Sequence, residues 1–339
     1  RQTGKSTLLK SLNPDLIINL ANEFEFIRFS SDAELIFSVI NNKKLILIDE
    51  VQRIPSLLNS LQVIIDDSKN KKPIHFLLSG SSARKLKRGQ ANLLPGRVFS
   101  YKMGGLCAQE LEYKIDIKKA LIVGFLPEPY LEKDINFSEK LLETYSMFYL
   151  KEEIQAEALT RNLSGFMRFL NSMAEISGQI IDFSKLSTKA KVSRSSSIRF
   201  MEILEDTLIG YKLPVFDKAE NADIIKHPKF YFFDVGVLNG LLNNFTASAD
   251  RVGFLFEHLV LSQLKNSAFA LDLPIEVFYF RTSNGVEVDF VIKLKNKYFA
   301  IEVKHGIVSK HDIQSLKIFK TYFPEVKKLY VVSIAEKNR

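Results

Sequence analysis

Short apolar runs alternating with helical apolar spacing organise the first third of the chain. Leu16–Leu20, Leu45–Ile48 and Ile74–Leu78 are too short for helices and too continuous for surface strands, so they read as buried strands. Between them, Leu8, Leu9 and Leu12 begin one helical face, and residues 31–41 carry another. Strand and helix in alternation predict a parallel sheet with helices on its faces. The middle third reads differently. Residues 137–159 have helical spacing with mixed charge, and Phe166, Phe169, Leu170, Met173 and Ile176 share one helical face that Gly178 stops. A short helix over 183–189 follows, then a tight turn at 191–193. Ser193 caps a third helix with Ile198, Met201 and Leu204 turned inward. Strand-like runs at 209–216 and 229–234 flank a polar loop, 217–223. Last come an apolar helix over 254–264 and runs at 277–281, 286–293 and 297–304, the final two alternating apolar with polar. The pattern predicts an α/β parallel-sheet domain over 1–115, a helical connector over 116–160, three helices and a hairpin over 161–230, and a second α/β domain over 231–339.

Composition adds bounds rather than detail. The chain has 339 residues, 46% of them hydrophobic and 25% charged, enough for about two or three globular domains. No apolar run approaches a membrane span, so no membrane partner is expected. Cys107 is the single cysteine, read as a small buried apolar residue. One cysteine allows no internal disulfide, which suits the reducing cytoplasm, where the reading places the protein. The net charge of +8 is clustered. Arg84, Lys85, Lys87 and Arg88 form one knot; Lys185, Lys189, Lys191, Arg194 and Arg199 form another. Both favour contact with a polyanion such as DNA.

Chemistry enters at the first seven residues. Gly4-Lys5-Ser6-Thr7 match the back half of a phosphate-binding loop, G-x-x-x-x-G-K-[ST]. Gly4 lets the backbone approach a phosphate, Lys5 reaches the terminal phosphates, and the Ser6 hydroxyl binds Mg²⁺. Ser6 and Thr7 fall where a helix N-terminus favours an anion. The motif's first glycine would lie two positions before Arg1. The sequence is therefore read as beginning inside the motif, with weaker ATP binding expected than from a longer form. Leu45–Ile48 then deliver Asp49 and Glu50 to the carboxyl end of a central strand. Asp49 suits Mg²⁺ held through water and Glu50 suits polarising an attacking water. Each motif alone is weak, but the two in this order are specific. Ser79, with Ser81 as the alternative, ends the next strand, where ATPases of this layout sense the γ-phosphate. Arg97 could complete a nucleotide site in its own or a neighbouring subunit, against the alternative of a salt-bridged surface arginine.

In the last domain, a two-residue turn at Lys295-Asn296 sets Asp289 opposite Glu302 and Glu287 opposite Lys304. Val288, Phe290 and Ile292 then form the apolar face with Phe299, Ile301 and Val303. Opposed carboxylates repel unless a cation lies between them. With Lys304 two residues on, this is the Asp…Glu-x-Lys arrangement of restriction-endonuclease-like nucleases. Glu257, Asp289 and Glu302 are the expected Mg²⁺ ligands, Lys304 would orient a water, and Gln314 would line the same pocket. The bland alternative is an exposed, ion-paired sheet face.

Gln2–Thr7, Ile48–Pro55, Leu78–Ser81 and Pro95–Arg97 together resemble the prokaryotic AAA-type ATPases that carry a C-terminal domain of unknown function. The resemblance covers Gly124–Tyr130, Lys226–Gly236, Glu257 and Glu287–Phe290 as well. It implies ATP as the nucleotide, a winged helix-turn-helix over 161–230 and a restriction-endonuclease-like fold after it. The expected function is a Mg²⁺-dependent ATPase coupled to DNA engagement, with oligomerisation and DNA cleavage both left open. The rivals are a nucleotide-gated scaffold with an inactive nuclease fold, and a metal-dependent DNA nuclease whose ATPase part is vestigial.

Overall fold

The three apolar runs of the first third form a parallel sheet. Strand β1 (Leu16–Asn19) pairs with β2 (Leu45–Asp49), which pairs with β3 (His75–Leu78), in the order β1–β2–β3. Ile46, Leu47 and Ile48 of β2 are wholly buried, as a central strand covered on both faces requires. Helices α1 (Lys5–Ser11), α2 (Glu23–Ser31), α3 (Leu35–Val39) and α4 (Leu57–Ser68) accompany the sheet. The helix expected over 31–41 is the shorter α3, and α2 before it was not expected. Asn22 caps α2 by accepting from Phe24 N and Glu25 N, and extended Asp32 breaks the chain before α3. Leu8 and Leu12 are exposed rather than part of a core face, because α1 is only seven residues long and buries none of them.

The computed structural model describes residues 2–68, 73–80, 96–149, 162–218, 223–309 and 313–334, in two compact units, 1–101 and 102–339. The second unit opens with α5 (Ile117–Val123), α6 (Pro127–Leu131) and α7 (Ile135–Thr144), the last continued by a π turn over Tyr145–Tyr149. Three helices follow: α8 (Leu163–Glu175), α9 (Phe183–Ala190) and α10 (Arg194–Asp206). Lys191 turns the chain in the left-handed region, and Ser193 Oγ accepts from Ser196 N at 3.1 Å to start α10. Strand β4 (Gly210–Leu213) then pairs antiparallel with β5 (Lys229–Phe232), and Ile180 bridges Lys229 from the other side.

Helix α11 (Val235–Leu242) is capped by Asp234, whose carboxylate accepts from Gly236 N at 2.8 Å and Val237 N at 3.2 Å. Its other oxygen accepts from Phe125 N at 2.7 Å. That anchors the turn at Gly124, whose φ of 67° and ψ of −148° only glycine adopts without strain. The long helix α12 (Val252–Ala270) extends beyond the expected 254–264. A four-stranded sheet completes the unit: β6 (Ile275–Arg281), β7 (Glu287–Leu294), β8 (Lys297–Lys304) and β9 (Val326–Ser333), in that order. The first two pairings are antiparallel. β8 and β9 are parallel, with α13 (Gln314–Tyr322) between them in sequence.

Expected boundaries at 160 and 230 fall inside this unit, because Phe166, Phe200, Phe230, Leu255, Tyr279 and Phe290 belong to one continuous core. Leu294 pairs with Lys297 as the two-residue turn requires. The expected apolar face changes at one position. Phe278 pairs with Val291 and Phe280 with Val288, so one residue of β6 faces Asp289 and Phe290 together, a β-bulge. Val288 consequently packs with Val291, Ala300 and Phe319, while Phe290 and Ile292 enter the larger core. Among the described residues, no helix is long and apolar enough to cross a membrane.

Candidate functional site

In the first unit the chemistry gathers at the carboxyl ends of β2 and β3. Asp49 is buried, and its Oδ1 accepts from the Ser79 hydroxyl and, at 3.1 Å, from Glu50 N. Backbone bonds from Ser79 N to Ile48 O and from Val51 N to Ser79 O, each 3.0 Å, lock the two strand ends together. Glu50 has a φ of 58°, an uncommon conformation for a non-glycine residue that costs on the order of 1–3 kcal/mol. Gln52, a buried residue that sequence reasoning passed over, donates from Nε2 to Glu50 Oε2 and fixes that side chain. Its signal was its place two residues after an Asp-Glu strand end.

Gly4, with φ 85°, turns the chain into α1, placing Lys5, Ser6 and Thr7 in the first helical turn. Thr3 is buried, and Lys5 Nζ lies 3.5 Å from its hydroxyl. Asp49 has no lysine or arginine within ion-pair distance among the described residues. A buried carboxylate that already holds the Ser79 hydroxyl suits a hard cation. Arg97 lies against α4, where Nε and Nη2 donate to the two carboxylate oxygens of Asp66 at 2.7 and 2.9 Å. Ser81 and the basic knot at 84–88 fall outside the described residues.

The second unit holds an acidic cluster around the bulge in β7. Asp289 sits in the bulge, where its Oδ2 accepts from Val303 N at 2.7 Å and so replaces the next ladder bond between β7 and β8. Burial pushes the Asp289 pKa well up, and the Glu257 and Glu302 carboxylates push it further. Burial likewise raises Glu302, although Lys304 Nζ, 2.9 Å from its Oε1, works the other way. Glu302 Oε2 is buried with no hydrogen-bond partner. Glu302 and Lys304 line a cleft of about 260 Å³ together with Gln314, Asn284 and Ser315.

Glu257 approaches from α12 and is held by two residues the sequence reading did not single out. Tyr231 Oη donates to Glu257 Oε1, and Lys229 Nζ lies 3.7 Å from the same oxygen. Lys229 Nζ also pairs with Glu287 Oε1 at 2.7 Å, and Arg281 Nη1 lies 3.3 Å from Glu287 Oε2. Glu287 thus pairs with Lys229 and Arg281 rather than with Lys304. Burial of Lys229 works against its charge, but Glu257 and Glu287 outweigh it and hold its pKa above the ordinary lysine value. The available signal was a lysine inside an otherwise aromatic strand, Lys229-Phe230-Tyr231-Phe232, with Lys229 and Tyr231 on one face. Among the described residues, no three Asp, Glu, His or Cys side chains converge as a ready-made metal cage. A cation here would be held by Asp289 and Glu302 with water completing its shell, an arrangement that suits Mg²⁺. The unpartnered oxygen of Glu302 fits that assignment.

Residues 1–112 match the family described as an AAA domain. Residues 114–248 match a domain of unknown function (DUF8612), and residues 252–339 match another (DUF4143). Uncharacterised proteins of Mycobacterium bovis and of Mycobacterium tuberculosis are each 26% identical to this chain over 311 residues, covering 90% of it and 68% of their own length. The chain therefore carries an AAA domain at its N-terminus and a DUF4143 domain at its C-terminus. The parallel sheet and its Asp49 strand end accord with a nucleotide-binding ATPase domain.

Proposed function

We propose that the chain is a cytoplasmic Mg²⁺-dependent AAA-type ATPase whose nucleotide state governs engagement of DNA by its second unit. The observation that carries the reading is the buried Asp49 carboxylate, gripped by Ser79 and followed by a strained Glu50. Lys5 and the amides beside Gly4 hold phosphates. Ser6, Thr7 and Asp49 hold nucleotide and Mg²⁺, and Glu50 takes a proton from water. When bound, the cation supplies charge neutralisation at the phosphates. ATP rather than GTP is assigned from the resemblance.

Residues 161–230 have the element order of a winged helix: α8, the Ile180 bridge, α9, α10, then the β4–β5 hairpin. Lys185, Lys191, Arg194 and Arg199 would meet phosphates from α9, α10 and the turn between them. The last segment, with α12, three antiparallel strands, α13 and a parallel fourth strand, has the layout of a restriction-endonuclease-like fold. Glu302, Asp289 and Lys304 are its candidate machinery.

The test is ATP hydrolysis by the full chain with Mg²⁺, with and without duplex DNA. Hydrolysis should require Lys5 and Glu50, and DNA should raise the rate. A rate indifferent to both Lys5→Ala and Glu50→Gln refutes the ATPase reading; indifference to DNA alone refutes the coupling. A second reading is favoured by the ion pairs that already engage Glu257, Glu287 and Glu302. In it the second unit is a nucleotide-gated scaffold that docks without cutting. Metal-dependent plasmid nicking that disappears in Glu302→Ala would decide against the scaffold.

A further inference from the structure

We propose that Lys229 is a resident cation of the acidic site, occupying the place between Glu257 and Glu287, and that the site therefore takes one divalent cation. The inference rests on reading Asp289 and Glu302 as a cation site. It goes beyond that reading in assigning Glu257, expected from the sequence as a ligand, a counter-ion from within the chain.

Two halves of the cluster are treated differently by the fold. On one side, Lys229 Nζ stands 2.7 Å from Glu287 Oε1 and 3.7 Å from Glu257 Oε1. Tyr231 donates to Glu257 from the same strand face, and Arg281 reaches the second oxygen of Glu287 at 3.3 Å. Both glutamates thus have protein cations or donors on them. On the other side, Asp289 receives one backbone N–H and Glu302 receives Lys304 on one oxygen, while Glu302 Oε2 is buried without a partner. Four carboxylates face three cations, and the uncompensated negative charge lies with Asp289 and Glu302. One divalent cation there leaves the cluster with a single positive charge. A second would leave three in a largely buried site, which is costly.

Lys229 cannot yield its place by a small movement. Its residue is 5% exposed, and its backbone pairs with Leu213 on one side and Ile180 on the other. A lysine so enclosed persists because the glutamates compensate it, and their charges persist because it compensates them.

The experiment counts Mn²⁺ ions bound per full-length chain, read from the free Mn²⁺ signal by electron paramagnetic resonance in the absence of nucleotide. Nucleotide-free conditions and Asp49→Asn in every variant keep the first unit from contributing. The wild-type second unit should bind one ion, lost in Glu302→Gln. Lys229→Met, whose cluster one ion leaves neutral, should bind that ion more tightly than wild type, and Lys229→Arg, which keeps the charge, should bind one ion as wild type does. Two ions on wild-type chain, or one on Lys229→Met with unchanged affinity, would overturn the inference while leaving a cation site in place. If wild type binds none, the reading of Asp289 and Glu302 falls and the inference falls with it. Should Lys229→Met fail to fold, the wild-type count still decides between one ion and two.

Discussion

Asp234 joins two distant parts of the second unit, and its removal should be legible as a pH effect. Its carboxylate is wholly enclosed, and burial pushes its pKa from the ordinary 3.8 up to about 6, against the pull of hydrogen bonds from Phe125 N, Val237 N and Gly236 N. Because the folded value lies above the unfolded one, the associated stability is fully present below about pH 4 and lost as pH rises through about 6. Integrating between those two values, the wild-type chain should lose about 2 kcal/mol from this group between about pH 4.5 and pH 7. In Asp234→Asn that titration is absent. The amide must also present a donor toward Phe125 N or toward the α11 amides, a mismatch costing about 1–3 kcal/mol at every pH. Urea unfolding of the two proteins across this range separates the contributions. The stability gap between wild type and variant should shrink by about 2 kcal/mol as pH rises, because the other titrating carboxylates are common to both. A gap that stays constant across the range would refute the assignment of a raised pKa to Asp234.

Other substitutions test neighbouring parts of the argument. Gly124→Ala should destabilise the second unit by about 3 kcal/mol or more, since the backbone there is glycine's own and a Cβ would fall 2.0 Å from Asp234 Oδ1; thermal unfolding measures it. Glu50→Gln should lower the ATP hydrolysis rate by about 10²–10⁴-fold while nucleotide affinity, followed by titration with a fluorescent ATP analogue, stays near wild type. Arg97→Ala should cost at most about 1 kcal/mol of stability, the worth of a partly exposed pair with Asp66, and leave hydrolysis within a few-fold. Phe216→Ala should cost about 3–5 kcal/mol in chemical denaturation, because its buried ring meets Phe278, Tyr298, Phe319 and Phe323.

The parallel strands were legible because a strand buried on both faces has an unbroken apolar run, and Leu45–Ile48 is one. Asp49 followed from the end of that run, Ser193 from its place before a helical face, and the β7–β8 register from a turn of two polar residues. Helix α2 was not legible. Its sequence alternates Glu23, Phe24, Glu25 and Phe26, and Phe24 and Ile27 remain exposed, so no buried helical face announces it. The bulge at Asp289 was hidden for another reason: an inserted residue changes which side chains share a face without changing their hydrophobicity. Lys229 and Glu257 are far apart in the chain, and nothing local to either encodes their meeting.

The continuous core of the second unit has a consequence for inheritance. Strand β5 presents Phe230 and Phe232 to the core on the same short element that sends Lys229 and Tyr231 to the carboxylates. A cut near residue 250 would strip the four-stranded sheet of both its packing surface and its internal cation. The two halves of this unit should therefore travel through evolution as a pair. A gene that acquired the last strands without the preceding hairpin would have to replace a lysine in the interior as well as a set of aromatic rings.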